Sequence, residues 1–202
     1  NLTNEVLAFN FLIFTGFFLS FIFMYALVYY LTKSRAASIF GGLVFAISPY
    51  HLWQATAHLS LSLTFWLPLF VLSLFYFDRY KSLKSAFFIS AVFLATIYTT
   101  FYYGFFCALV AIAFFLFKYV LDFREYFKVR TFLLLILSGF IVILGFFPLW
   151  VGLKSTKGDS SLGVKEAFSR KLDELVGLSA RPWDYFIYPP NHPVFGQFNK
   201  QN

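Results

Sequence analysis

The sequence predicts an all-α protein, a polytopic bundle of transmembrane helices. Three observations predict it. Of the 202 residues, 60% are hydrophobic and 12% charged, against about 25% charge and about 45–50% apolar residues in an ordinary soluble domain. Mean hydropathy is +0.73. The apolar residues gather into six runs, with the basic residues collected between alternate runs. So much apolar surface cannot hide in one small core, because surface must be covered by something polar in water. Lipid removes that requirement.

A helix needs about 20 apolar residues to cross about 30 Å of hydrocarbon. The first run, Val6 to Thr32, meets this without a charge, and Lys33 and Arg35 follow at once. The second, Ala36 to Ser48, stops short at Pro49, and a polar stretch continues to His58. The third, Leu59 to Phe77, closes with Asp78, Arg79, Lys81 and Lys84. A short fourth run, Ala86 to Ile97, gives way to Tyr98-Thr99-Thr100-Phe101-Tyr102-Tyr103-Gly104. The fifth, Phe105 to Leu121, leads into a charged link ending at Arg130, and the sixth spans Thr131 to Trp150. The expected bundle thus has about six spans, two of them short, over residues 1–150.

Charge orients this array. The links after runs one, three and five, with Lys118 at the end of the fifth, hold nine of the sixteen Lys and Arg residues. The turns at 48–58 and 98–104 hold none. Positive residues in short loops mark the cytoplasmic side. Both turns, and residues 151–202, are therefore expected outside. The net charge of +7 is mostly this topology signal; a basic face interleaved with aromatics, as a nucleic-acid interface needs, is not present. Cys107, the single cysteine, excludes an internal disulfide. The chain opens without Met directly into a run and ends in a polar loop, which reads as an internal fragment.

The two short spans stop on the same side. Unpaired backbone at membrane depth must be covered by protein or line a wet cavity, so a concave, partly hydrated hollow is expected there. The alternative is two ordinary hairpins with slightly short apolar cores and Trp53, Trp66 and Tyr102 as an interfacial belt. His51, Gln54 and His58 fall at i, i+3 and i+7, one face of a helix. Two imidazoles two turns apart, about 10 Å, do not share one metal ion, and the i, i+4 pair of a zinc site is lacking. Such a face suits hydrogen bonds to a phosphate or a sugar hydroxyl, and Tyr50 adjoins it. In the second turn Tyr102 and Tyr103 can stack on a sugar ring or serve in an interfacial belt. Gly104 permits close backbone approach where the fifth span restarts.

Residues 151–202 read as an extracytoplasmic loop. Val164 to Ala180 has the period of an amphipathic helix with an apolar stripe of Phe168, Leu172, Leu175 and Val176. Arg181 to Pro193 holds four prolines, which forbid a helix. Within it, Asp184 could act as a base, hold a cation or simply satisfy a turn; His192 stands in the same position.

At Ala46-Ile47-Ser48-Pro49-Tyr50-His51-Leu52-Trp53-Gln54-Ala55-Thr56-Ala57-His58-Leu59 the chain resembles bacterial and archaeal membrane proteins of the GT-C glycosyltransferase type. The resemblance continues through Trp66-Leu67-Pro68, Thr100-Phe101-Tyr102-Tyr103-Gly104 and the Tyr185 to Pro193 segment, touching most of the chain in order. It implies transfer of a sugar from a polyprenyl-phosphate donor to a glycan, lipid or protein acceptor on the outer face. It also implies an acidic base in an outer loop preceding this chain, so no catalytic base is expected within it. Some proteins of this type use a divalent cation, Mg or Mn, a point these residues leave open. The implied substrate-binding set is Tyr50, His51, Gln54, His58, Tyr102, Tyr103, Asp184 and His192. The competing class is a membrane transporter or lipid-linked substrate flippase, whose sites are also built from broken spans. Against it, the runs carry no ionisable Lys, Arg, Asp, Glu or His apart from Lys118.

Overall fold

The computed structural model describes residues 2–158. Among them are nine helices and no strand: α1 (Leu2–Thr32), α2 (Arg35–Ala46), α3 (Pro49–Ala57), α4 (Leu59–Ser62), α5 (Trp66–Tyr80), α6 (Leu83–Thr99), α7 (Phe101–Leu121), α8 (Phe123–Tyr126) and α9 (Val129–Gly158). A first compact unit runs to Pro148; of the second, which starts at Leu149, the structure describes only the end of α9. The expected amphipathic helix, the proline-rich segment, Asp184 and His192 lie outside the described residues.

The protein is a polytopic helical bundle. Among the described residues, four segments are long and apolar enough to cross a membrane: Asn4–Thr32, Arg35–Ala57, Phe101–Leu121 and Val129–Gly152. The second is α2 and α3 taken together, so the polar stretch after Pro49 is helix rather than turn. Leu83–Thr99 is a shorter apolar helix. The third run of the sequence is broken into α4 and α5. Pro68 gives the reason. In one continuous helix its ring would clash with the carbonyl of Thr64 and its missing N–H would orphan it. Restarting the helix at Trp66 puts Pro68 in the first turn, where no N–H is needed.

The links at the basic end share one device. α1 and α5 each run into a lysine with positive φ, Lys33 at 58° and Lys81 at 39°. Both N–H groups return to a carbonyl four residues back, Tyr29 and Phe77, at 2.9 Å. A left-handed residue ends a helix this way, and a cation there faces the negative end of the helix dipole. α6 then starts on a reciprocal cap. Ser82 Oγ accepts from Ser85 N–H at 3.3 Å and Ser85 Oγ accepts from Ser82 N–H at 3.0 Å.

Lipid supplies no hydrophobic drive between helices, so close packing and small residues hold them together. α1 lies along α2, and α5 packs on α1, α6 and α7. Gly42 of α2 sits directly against Phe21 of α1. α5 is the central helix: Phe70, Leu74 and Phe77, one stripe at helical spacing, meet Ala86, Ile89 and Val92 of α6, Cys107 of α7 and Leu134 of α9. Ser90 joins α6 to α9, its Oγ lying 2.8 Å from the Ala86 carbonyl and 3.2 Å from that of Ser138.

At the basic end Asp78 gathers three partners. Lys118 Nζ is 2.6 Å from Oδ2, Lys81 Nζ 3.1 Å from Oδ1, and the Tyr126 hydroxyl donates to Oδ1 at 2.7 Å. Burial, then the hydrogen bond to the carboxylate, pushes the Tyr126 phenol above its ordinary range, so it stays a donor.

Candidate functional site

Three helix breaks meet at the opposite end. The first is at Ile47–Ser48: Ser48 is the N-cap of α3, accepting from His51 N–H at 3.4 Å, with Pro49 at the first helical position. The second is double. α3 stops at Ala57, His58 turns extended (φ −141°, ψ 94°), α4 makes one turn, and Leu63 to Phe65 lead into α5. The third is a single residue, Thr100 (φ −158°, ψ 130°), between α6 and α7.

Buried polar side chains fill the space these breaks open. His51 is fully buried, its ring stacked on Phe17 of α1 with centroids 4.0 Å apart and planes 13° from parallel. Its Nδ1 lies 3.5 Å from Thr64 Oγ1, which lies 2.9 Å from Ser20 Oγ of α1. A chain of three side chains thus links α3, the α4–α5 break and α1. Gly16, one turn before Ser20, faces the other edge of the imidazole, and a Cβ there would sit 4.0 Å from Nε2. Gln54 Oε1 and Trp66 Nε1 are buried with no protein hydrogen-bond partner, and each is a group that ordinarily finds one. His51 Nε2 makes no hydrogen bond of normal geometry, but the Ala46 and Ser62 backbone lies close to the ring.

A second link joins the breaks. The Tyr103 hydroxyl donates to the carbonyl of Leu61 in α4 and accepts from the Tyr50 hydroxyl at 3.3 Å. Gly104 makes this approach possible. A Cβ on it would meet Ile97 Cγ1 at 2.5 Å and the Ile97 Cα at 3.3 Å, so only a glycine lets α7 leave α6 so closely. Removing the hydroxyl with Tyr103→Phe is expected to lower stability by about 1–2 kcal/mol, because the Leu61 carbonyl loses its donor inside the bundle. Tyr102→Phe, at a residue 66% exposed, is expected to change less than about 0.5 kcal/mol. Unfolding of both variants in mixed micelles checks the difference, and equal melts would remove the link.

The expected residues therefore separate into two sets. His51 and Tyr103 are buried, Gln54 is half-buried, and Tyr50 reaches Tyr103 from the surface. His58 and Tyr102 are exposed, with Trp53 beside them in character. His51 and Gln54 share a helical face as expected, but His58 does not continue it, because α3 ends one residue earlier. Where the sequence leads one to expect a hollow, the described residues place the buried polar side chains of His51, Ser20 and Thr64. The sequence reading missed Gly16, Phe17, Ser20 and Thr64. Gly16 and Ser20 were legible as two small residues one turn apart in an uncharged run, and Thr64 as the carbonyl that Pro68 would strike. Among the described residues no three His, Cys, Asp or Glu side chains gather to hold a metal ion.

Fold and site define a polytopic α-helical membrane protein with a polar nucleus at the meeting of three helix breaks. The chain belongs to the family described as "Domain of unknown function (DUF6311)", whose model matches residues 2–200. No curated protein and no solved structure matches it.

Proposed function

We propose that this chain belongs to a GT-C-type glycosyltransferase and that the meeting of the three breaks binds a polyprenyl-phosphate-linked sugar on the extracytoplasmic face. The observation that carries the reading is the division of labour among the histidines. His51 is locked behind the surface by Phe17 and Thr64, while His58 stands exposed where the helix opens. An exposed imidazole in the break between α3 and α4 can hydrogen-bond a phosphate at a membrane boundary. The nine cations at the other end support the reading that this end faces outside.

In this reading the acceptor oxygen attacks the anomeric carbon, the bond from that carbon to the phosphate oxygen breaks, and the acceptor proton passes to a carboxylate. His58 donates to the departing lipid phosphate as its charge develops. Tyr50 and Tyr102 bound the sugar, and Asp184 and His192 position the acceptor. Glu5 is the described carboxylate at this end, but it precedes Gly16 by about 16 Å of helix. The base is therefore assigned outside residues 2–158.

Membranes carrying the full-length protein, supplied with radiolabelled polyprenyl-phosphate sugars, test this. His58→Ala at matched expression is expected to lower turnover at least about tenfold, the worth of one charge-assisted hydrogen bond. Unchanged turnover would remove His58 from the mechanism. No transfer from any donor by folded, inserted protein would favour a transporter instead.

A further inference from the structure

The basic end of the bundle carries a groove that the proposed reaction does not use. It lies between the first residue of α6 and the first two turns of α9, with a volume of about 440 Å³, lined by Leu83, Val129, Arg130, Leu133, Leu134 and Leu137. Five of these six are aliphatic; the sixth is a cation. Arg130 stands in the first turn of α9, at the membrane boundary, and Leu137 lies about 12 Å further along the helix from Val129.

We propose that this groove seats one acyl chain of an anionic phospholipid, with the Arg130 guanidinium on its phosphate. Charge complementarity decides the headgroup. Lys33, Arg35, Arg79, Lys81, Lys84, Lys118, Arg124, Lys128 and Arg130 share this end with three described carboxylates. Those carboxylates are engaged elsewhere: Asp78 by Lys81 and Lys118, Asp122 by Lys118, and Glu125 by Lys128. Arg130 has no partner among them, so its forked donors are left for an outside anion, and a phosphate matches that fork in bidentate fashion. The walls decide the rest. A free phosphate would gain nothing from a dry aliphatic groove, which favours an apolar occupant. A hydrocarbon without a charge would gain nothing from Arg130. A phospholipid joins the two at the depth where an arginine stem lies along apolar surface and its head reaches the interface. Lys84, exposed and next to Leu83, adds to the positive field at the mouth. The site is at the end away from His51 and stands whether or not the transferase reading does.

The full-length protein, purified in mild detergent, is titrated with palmitoyl-oleoyl phosphatidylglycerol, with the matching phosphatidylcholine and with inorganic phosphate. Retained lipid is counted by native mass spectrometry. One phosphatidylglycerol held in preference to phosphatidylcholine is expected, and millimolar phosphate is expected not to displace it. Arg130→Gln should weaken its retention about fivefold, the effect of one interfacial cation. Leu137→Trp, which fills the groove and leaves the charge, should do at least as much. Arg124→Gln, a cation at the same end outside the groove, should change nothing. Equal retention of the two lipids would overturn the proposal, as would displacement by phosphate. Equal losses in the Arg124 and Arg130 variants would reduce it to a diffuse surface charge. Should Arg130→Gln not fold, Leu137→Trp and the lipid comparison still decide.

Discussion

Replacing Gly42 with leucine is expected to separate α1 from α2 and to cost at least about 3 kcal/mol, the upper range for overpacking a well-filled contact. A Cβ at this position would lie 2.8 Å from Phe21 Cδ2, 2.9 Å from Cε2 and 3.0 Å from the Phe21 carbonyl oxygen. The ring can swing aside. The carbonyl cannot, because it belongs to α1's own ladder, so relief requires moving one helix off the other. In lipid nothing replaces the lost contact, since the tails are as apolar as the side chains exposed. Two comparisons bound the effect. At Gly41 the nearest atom to an added Cβ is the end of a Val28 side chain at 3.0 Å, and at Gly139 nothing lies within 4 Å. Gly41→Ala should therefore cost far less than Gly42→Leu, and Gly139→Ala should be neutral or slightly stabilising. Detergent-to-SDS unfolding of the three variants checks the order. A Gly42→Leu protein as stable as Gly139→Ala would show that α1 and α2 do not pack in this register. The consequence reaches the site. α1 carries Phe17 and Ser20 to His51 and Thr64, so the same variant should also lower any activity that depends on His51 being held.

How much of this was legible follows from what each signal measures. Hydropathy reports whether a segment sits in lipid, and it located α1, α7 and the start of α9 to within about four residues, while α9 runs on past Trp150 to Gly158. It is blind to breaks inside an apolar stretch, which is why Leu59 to Phe77 reads as one span although Pro68 forces a restart at Trp66. Polarity misled in the reverse sense at 49–57. His51, Gln54 and Thr56 suggest a turn, yet Ser48 and Pro49 are a helix start, and a helix follows them. The local cap was the better guide because it acts on the backbone itself. For the site, the residue types were readable and their partners were not. That His51 stacks on Phe17, 34 positions earlier, depends on how α1 is rotated about its axis, and the polar residues inside that run, Asn10, Thr15 and Ser20, stand five apart and share no one face to fix the rotation. Tyr102 and Tyr103 are adjacent and chemically equal in the sequence; the helix turn between them buries one and exposes the other.

Asp78→Ala is the second change with a large expected cost, and it acts at the other end of the bundle. The Asp78 side chain is 17% exposed, and that of Lys118 is 22%, so water screens the pair only in part. Removing the carboxylate leaves the Lys118 and Lys81 ammonium groups with no shared anion between them and the buried Tyr126 hydroxyl with no acceptor. Breaking one side of a buried ion pair costs about 3–5 kcal/mol. Partial exposure, and the second partner that Lys118 keeps in Asp122 at 3.6 Å, put the expected loss near about 3 kcal/mol. Asp78→Asn retains an acceptor for Tyr126 and the shape of the side chain, so about half that loss is expected. Tyr126→Phe removes a single charge-assisted hydrogen bond and should cost about 1.5–3 kcal/mol. Because Asp78 and Tyr126 are direct partners, the double variant Asp78→Ala, Tyr126→Phe should fall short of the sum of the singles. Strict additivity would show that the two do not interact, and an Asp78→Ala melt like wild type would make the whole cluster a solvated surface feature. The position of the cluster gives the result its meaning. Asp78 ends α5, Lys118 ends α7, and Tyr126 lies in α8, the single turn that delivers the chain to the start of α9. The groove at Arg130 is built on that start. Loosening Asp78 is therefore expected to weaken phosphatidylglycerol retention without any change in the groove's own residues, whereas the polar nucleus around His51, held by Phe17, Thr64 and Ser20, should keep its geometry.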